Sequence, residues 1–305
     1  MIKIENLTKK YSDKTAVDQL SLTLQPGVVT GFLGPNGSGK STTMKMIISL
    51  VHPTHGNVVI DGKKYSNFPA PTKEIGTLID PSALDKNLTG EQHLSIIATT
   101  ANIKRKRVDD MLDLAGLTSV RNKTVKSYSL GMKQRLGVAT ALIGNPNTII
   151  LDEPFNGLDV DGIKWLRQLF RKLADDGKAV IVSSHLMSEI QAVADRVVII
   201  GQGKLLADMS MEEMNEKSLS AYVYVEANDI EKLKRVLQEQ HANIKHQSEG
   251  LQVRNIEARK IGKLALDHQI ILYQLSKINS SLEDFFTEIT DGKVDYVAKG
   301  VEANE

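Results

Sequence analysis

The stretch Gly34-Pro35-Asn36-Gly37-Ser38-Gly39-Lys40-Ser41-Thr42 constrains this chain more than any other. The apolar run Val28-Val29-Thr30-Gly31-Phe32-Leu33 leads into it, and residues 43–50 follow with apolar side chains at Met44, Met46, Ile47, Ile48 and Leu50. Strand, glycine-rich turn and helix form the setting in which the pattern G-x-x-x-x-G-K-[ST] carries physical meaning. Glycines let the backbone approach a ligand closely and adopt left-handed dihedrals without a Cβ clash. The N–H groups of Gly37, Gly39 and Lys40 then converge as an anion nest at a helix N-terminus. Lys40 adds a mobile positive charge, and the Ser41 hydroxyl is a hard oxygen ligand suited to Mg²⁺. The stretch predicts a site for the phosphates of a nucleotide.

The rest of the composition is ordinary. A chain of 305 residues can build two domains and at least one large core. Hydrophobic residues make up 41% and charged residues 25%, as in a globular protein. No stretch has the ~20 uncharged apolar residues of a membrane span, and Met1-Ile2-Lys3-Ile4-Glu5 runs straight into an alternating pattern rather than a signal peptide. With Cys at 0, disulfides, thiol chemistry and thiolate metal sites are excluded. A net charge of +1 gives no global attraction to nucleic acid.

Along the chain, Ile2-Lys3-Ile4-Glu5-Asn6-Leu7 alternates with period two and predicts a strand, with another over 16–24 and Tyr11 in the polar connection between them. Residues 56–62 predict a strand and turn, and 74–79 a short strand stopped by Pro81. Residues 89–117 are helical in pattern with polar breaks near 104–107, and Thr89 with Gln92 fits a capping box. Another helix is expected over 131–143. Thr148-Ile149-Ile150-Leu151 and Ala179-Val180-Ile181-Val182 read as buried parallel strands, with an amphipathic helix over 160–173 between them. Residues 196–206 predict two strands around Gly201-Gln202-Gly203. This alternation predicts an α/β fold with a mostly parallel sheet covered on both faces.

Residues 209–217 read as a polar link, and the pattern then changes. Strands at 222–225, 250–254 and 270–273 alternate with helices at 230–237, 256–266 and 282–289, which predicts a small α+β module of split-βαβ type. The expected division is a domain over 1–212, with a helical subdomain at about 82–145, and an accessory domain over 213–305. From Met214 onward, 12 Lys and Arg face 15 Asp and Glu, which argues against a nucleic-acid surface there.

Three further signals carry chemistry. Leu151-Asp152-Glu153-Pro154 ends the first buried strand. A carboxylate at that strand end can reach Mg²⁺ held by Ser41, and Glu153 beside it can orient or deprotonate an attacking water. Ser183-Ser184-His185 ends the second buried strand, where His185 can contact a terminal phosphate. Ser129 is suited to N-cap a helix opening at Leu130-Gly131-Met132, whose free N–H groups form a second anion site.

Together these residues resemble the ATP-binding subunit of an ABC transporter, over about residues 2–208. Residues 34–42 are similar to its Walker A motif, 149–153 to Walker B with the catalytic glutamate, and Tyr128-Ser129-Leu130-Gly131-Met132 to its signature motif. Asn156-Gly157-Leu158-Asp159 resembles the D-loop at the dimer interface, His185 the switch histidine, and Tyr11 the aromatic that stacks on adenine. The wording from Tyr128 to Leu136 and the ending Ser281-Leu282-Glu283-Asp284-Phe285-Phe286 are similar to exporters of the bacitracin and lantibiotic-immunity type.

The resemblance implies a P-loop NTPase fold, binding of ATP with Mg²⁺, and catalysis by Glu153 and His185. It implies nucleotide contacts from Tyr11, Gly34, Asn36, Gly37, Ser38, Gly39, Lys40, Ser41 and Thr42, and metal contacts from Ser41, Asp80 and Asp152. Ser129, Gly131 and Met132 would meet the nucleotide of a second subunit, itself or a paralogue, while an integral membrane permease receives the motion at the cytoplasmic face of the membrane. The chain departs from the family twice. Asp80 stands where a glutamine is usual, as the peptide-exporter subgroup also has it. Leu130 stands where glycine is common, which would be strained if that position needed positive φ. The alternatives are a ribosome- or DNA-directed ABC ATPase and a non-hydrolysing nucleotide-binding regulator. A single ATPase domain, no heptad insertion and an acidic C-terminal module argue against the first, and Glu153 with His185 against the second.

Overall fold

A computed structural model of the chain describes residues 1–218, 222–247, 249–278 and 281–291. It divides into two compact units, Met1–Met211 together with Thr290 and Asp291, and Glu212–Ile289. Residues 292–305 of the expected accessory domain lie outside the described residues.

The first unit opens with β1 (Ile2–Tyr11) and β2 (Lys14–Leu24), an antiparallel pair joined by a tight turn, so Tyr11 ends a strand rather than lying in a loop. Next come β3 (Val29–Leu33), β4 (His55–Ile60), β5 (Ile75–Leu78), β6 (Thr148–Leu151), β7 (Ala179–Ser184), β8 (Arg196–Gly201) and β9 (Lys204–Ser210). β2-β1-β4 form a three-stranded antiparallel sheet, and a six-stranded sheet runs β5-β6-β7-β3-β8-β9. In the larger sheet every pair is parallel except β8 with β9. β3, β6 and β7 are buried along their whole length, as their aliphatic runs require of strands covered on both faces. One core joins the two sheets, from Ile2, Leu7 and Leu20 through Phe32 and Met44 to Ile150 and Ile181. The crossover from β5 to β6 holds three α-helices, Gly90–Thr100, Lys106–Leu114 and Leu130–Leu142. Thr89 and Gln92 close the expected capping box there, and the polar break splits the single helical pattern in two.

The residues read as a polar link contain a helix, Met211–Ser218, preceded by the last residues of β9. Met211, Met214 and Ser218 are its buried positions, and with only two of the three apolar the helical period does not stand out in the hydrophobic pattern.

The second unit has β10 (Tyr222–Ala227), β11 (Asn243–Gln247), β12 (Gly250–Arg254) and β13 (Leu272–Ile278) in the order β11-β12-β10-β13, all antiparallel. With helices Ile230–Glu239 and Ala258–Asp267 this is the β-α-β-β-α-β arrangement of a split βαβ unit. Leu233, Leu237, Ile261 and Ala265 from those helices pack with Val223, Val225, Leu251 and Val253 from the strands. The added strand β11 escaped the sequence reading because its residues are mostly polar.

Candidate functional site

The glycine-rich turn joins β3 to helix Lys40–Ile47. Gly37 and Gly39 have φ of 83° and 103°, the left-handed conformations that glycine adopts without strain. A cavity of about 350 Å³ is lined by Tyr11, Lys14, Ala16, residues 36–42 and Glu153. The fold therefore brings most of the expected nucleotide-binding residues to one place. Gly34 joins them through its carbonyl, which accepts from Lys40 Nζ at 2.6 Å, with the Pro35 carbonyl at 3.3 Å. Lys40 is buried, and burial pushes its amine below the ordinary value, opposed by the charges of Glu153 and Asp152. Ser38 Oγ is buried without a hydrogen-bond partner among the described residues.

The carboxylates at the end of β6 meet the end of β7. Asp152 is buried, and its Oδ1 accepts from Ser183 Oγ. The same hydroxyl accepts from the Glu153 N–H at 2.8 Å. Glu153 Oε2 lies 2.9 Å from His185 Nδ1, and its Oε1 lies 3.9 Å from Lys40 Nζ. Since a carboxylate only accepts, Nδ1 of His185 carries the proton in this pair. Glu153 has φ of 48°, a left-handed backbone that is uncommon for a side chain of this size. Its carbonyl accepts from Gln134 Nε2 at 3.2 Å.

Other expected residues lie elsewhere. Asp80 is not among the residues lining the phosphate-loop cavity. It follows β5, its Oδ1 accepts from the Ser82 N–H at 2.8 Å, and it lines a separate cavity of about 220 Å³ with Leu84, Leu130 and Lys133. The reason is local: an Asp two residues before a free N–H closes an Asx turn. That bond to Ser82 holds its carboxyl below the ordinary value. Ser129 caps helix Leu130–Leu142, accepting from the Met132 N–H at 3.2 Å, and Gly131 lies in its first turn. None of the three lines the phosphate-loop cavity. Leu130 opens the helix and is not among the residues with positive φ, so the strain considered for it does not arise. Asp159 caps helix Val160–Asp175 through the Gly162 N–H at 2.8 Å and is otherwise exposed.

Ser183 and Gln134 went unassigned in the sequence. Ser183 carries no local signal, because its partners are at Asp152 and Glu153. Gln134 does carry one, a polar residue four positions before Val138 on the buried side of its helix.

The ABC transporter family matches residues 17–156, and a domain of unknown function (DUF8746) matches 221–283. The bacitracin transport ATP-binding protein BcrA of Bacillus licheniformis is 36% identical over 301 residues, spanning 96% of this chain and 98% of its own. The uncharacterized ABC transporter ATP-binding protein YcbN of Bacillus subtilis is 36% identical over 300 residues, 96% of this chain and 97% of its own. The chain belongs to the ATP-binding subunits of ABC transporters. The first unit of this cassette resembles the dimeric structure of MJ0796, a bacterial ABC transporter cassette, with a TM-score of 0.65 and 27% identity over 69% of this chain and 99% of that one. The post-hydrolysis state of MJ0796 bound to ADP and Pi matches with a TM-score of 0.64 and 28% identity. The cassette is an ATP hydrolase that powers a transporter, and its named relatives favour that reading over the ribosome-directed one.

Proposed function

We propose that this cassette drives export of amphipathic peptides, peptide antibiotics among them, from the cytoplasmic face of the membrane through a separate integral membrane permease. The observation that carries the reading is end-to-end similarity to a bacitracin transport ATP-binding protein, which takes in the second unit as well as the first. The lantibiotic transport ATP-binding protein SrtF of Streptococcus pyogenes, 36% identical over 68% of this chain, supports the same substrate class. No helix among the described residues is long and apolar enough to cross a membrane, so substrate passage falls to a partner.

Two copies of the chain, or this chain and a paralogue, close on two ATP molecules. Ser129, Gly131 and Met132 form an anion-binding helix start with no phosphate loop of its own chain beside it, which suits the nucleotide of a second subunit. Asp159, exposed at the next helix cap, faces the same interface. Within one chain, residues 36–42 wrap the phosphates and Tyr11 packs on the base. Lys40 turns from the Gly34 carbonyl to the outer phosphates. The donor set of Ser41 hydroxyl and Asp152 carboxylate is hard oxygen throughout and suits Mg²⁺. Bound there, the ion neutralises charge on the phosphates. Glu153 orients and deprotonates the attacking water, while His185 holds the Glu153 carboxylate and the terminal phosphate. Loss of that phosphate opens the dimer and moves the permease.

The test uses tagged Glu153→Gln expressed in its native cell. With Mg-ATP it dimerises on gel filtration, barely hydrolyses ATP and co-purifies with a polytopic membrane protein. A monomer contradicts the sandwich, and ribosomal proteins in place of a membrane partner contradict the exporter.

A further inference from the structure

We infer that Gln134 is the positioning residue for Glu153, tying the catalytic carboxylate to the helix that begins at Ser129. The inference rests on the proposal that Glu153 activates water.

Glu153 sits in a left-handed conformation, with φ of 48°. Such backbone persists in a non-glycine residue only where its surroundings over-determine it. Here the two backbone polar groups of Glu153 are held from different sides. Ser183 from β7 accepts the N–H at 2.8 Å, and Gln134 from helix Leu130–Leu142 donates to the carbonyl at 3.2 Å. The grip aims the side chain at Lys40 and His185. The two holding groups come from different elements, so the posture of Glu153 depends on where the helix lies. Gln134 is little more than one turn from the helix start, about 6 Å along the axis. A shift of that start against a partner's phosphate is therefore carried to the Glu153 peptide as a rigid displacement.

Stability does not explain the glutamine. Its side chain is 2% exposed, and its Oε1 is buried with no hydrogen-bond partner among the described residues. A buried polar atom left unpaired is destabilising, and an apolar side chain of the same length would avoid it. The Glu153 carbonyl would still accept from the Asn156 N–H at 3.3 Å. What the amide adds at this position is its donor to Glu153.

The experiment compares steady-state ATP hydrolysis by full-length Gln134→Met, which keeps length and loses the donor, and Gln134→Asn, which keeps the amide and loses reach. Both are expected to lower kcat about tenfold with KM for ATP within about twofold of the parent. Gln134→Met is also expected to melt no lower than the parent. Combined with Glu153→Gln, it still dimerises on gel filtration with Mg-ATP. Parental kcat in both variants, a KM effect alone, a fall of kcat and melting temperature together in both, or loss of the dimer would each overturn the inference. Glu153→Gln alone separates the two layers. If it hydrolyses ATP at the parental rate, the reading of Glu153 is wrong. If it is inactive while the Gln134 variants are parental, only the role of Gln134 is wrong.

Discussion

Replacing Ser183 with alanine tests how the two carboxylates at the end of β6 are held. Ser183 is fully buried, and its hydroxyl has two partners, the Asp152 carboxylate and the Glu153 N–H. Alanine fits the space but pairs with neither. A buried group that loses its only partner costs about 1–3 kcal/mol, more when it is charged. The Asp152 carboxylate is 6% exposed, while Glu153 is partly open to the cavity, so the first loss weighs more. Together they give about 2–4 kcal/mol. For a unit of this size each kcal/mol shifts Tm by about 2–4 °C, so a fall of roughly 5–15 °C is expected. The chain has one tryptophan, Trp165, in helix Val160–Asp175, with the Arg135 guanidinium 5.1 Å above its ring. Its fluorescence follows melting of the first unit without interference from the second. Hydrolysis should fall along with stability, because Glu153 loses half of its backbone grip. A Ser183→Ala protein melting within a degree of the parent with parental hydrolysis would refute the reasoning, since the hydroxyl's bonds to the Asp152 carboxylate and the Glu153 N–H are both lost in it.

Other expectations follow from single contacts. Lys40→Ala should weaken ATP binding at least about tenfold, a loss of about 1.4 kcal/mol, in titrations with a fluorescent ATP analogue; unchanged affinity would remove Lys40 from the phosphate site. Gly131→Ala puts a Cβ 2.8 Å from the Gly157 carbonyl, so it should displace the loop before Asp159 and weaken the ATP-dependent dimer of Glu153→Gln on gel filtration. His93 is half-buried with Nε2 3.1 Å from Thr140 Oγ1, and burial lowers its pKa from the ordinary 6.5, partly opposed by Asp85. The unfolded chain then binds the proton more readily, so this contribution is complete above about pH 6.5 and is lost as pH falls toward the folded value. His93→Gln should flatten that part of the stability profile in Trp165 melts; an unchanged slope would assign it to other groups.

Features set within a few residues were legible in advance. The capping box at Thr89 and Gln92 and the cap at Ser129 were readable because a cap and the N–H it accepts are three residues apart. The buried strands β6 and β7 were readable because both faces demand aliphatic side chains. The helix Met211–Ser218 and strand β11 were not. Neither has a strong period, and β11 owes its conformation to pairing with β12. The turn that Asp80 closes with Ser82 is set within three residues, whereas the metal contact expected of Asp80 comes from its distance along the chain from Lys40 and from the family resemblance.

By itself the sequence determined the chemistry this chain can perform. A phosphate nest, a lysine, two carboxylates after a buried strand and a histidine after another are each written in adjacent residues, because each depends on one turn or one strand end. Tertiary structure decided how those groups are aimed. The parallel order β6-β7-β3 sets the ends of three strands side by side, which brings Glu153 within reach of His185, Lys40 and Ser183. The packing of helix Leu130–Leu142 then sets Gln134 against the Glu153 carbonyl. Hydrogen bonds between groups that far apart in sequence leave no periodic or local trace, so only the folded chain could reveal them.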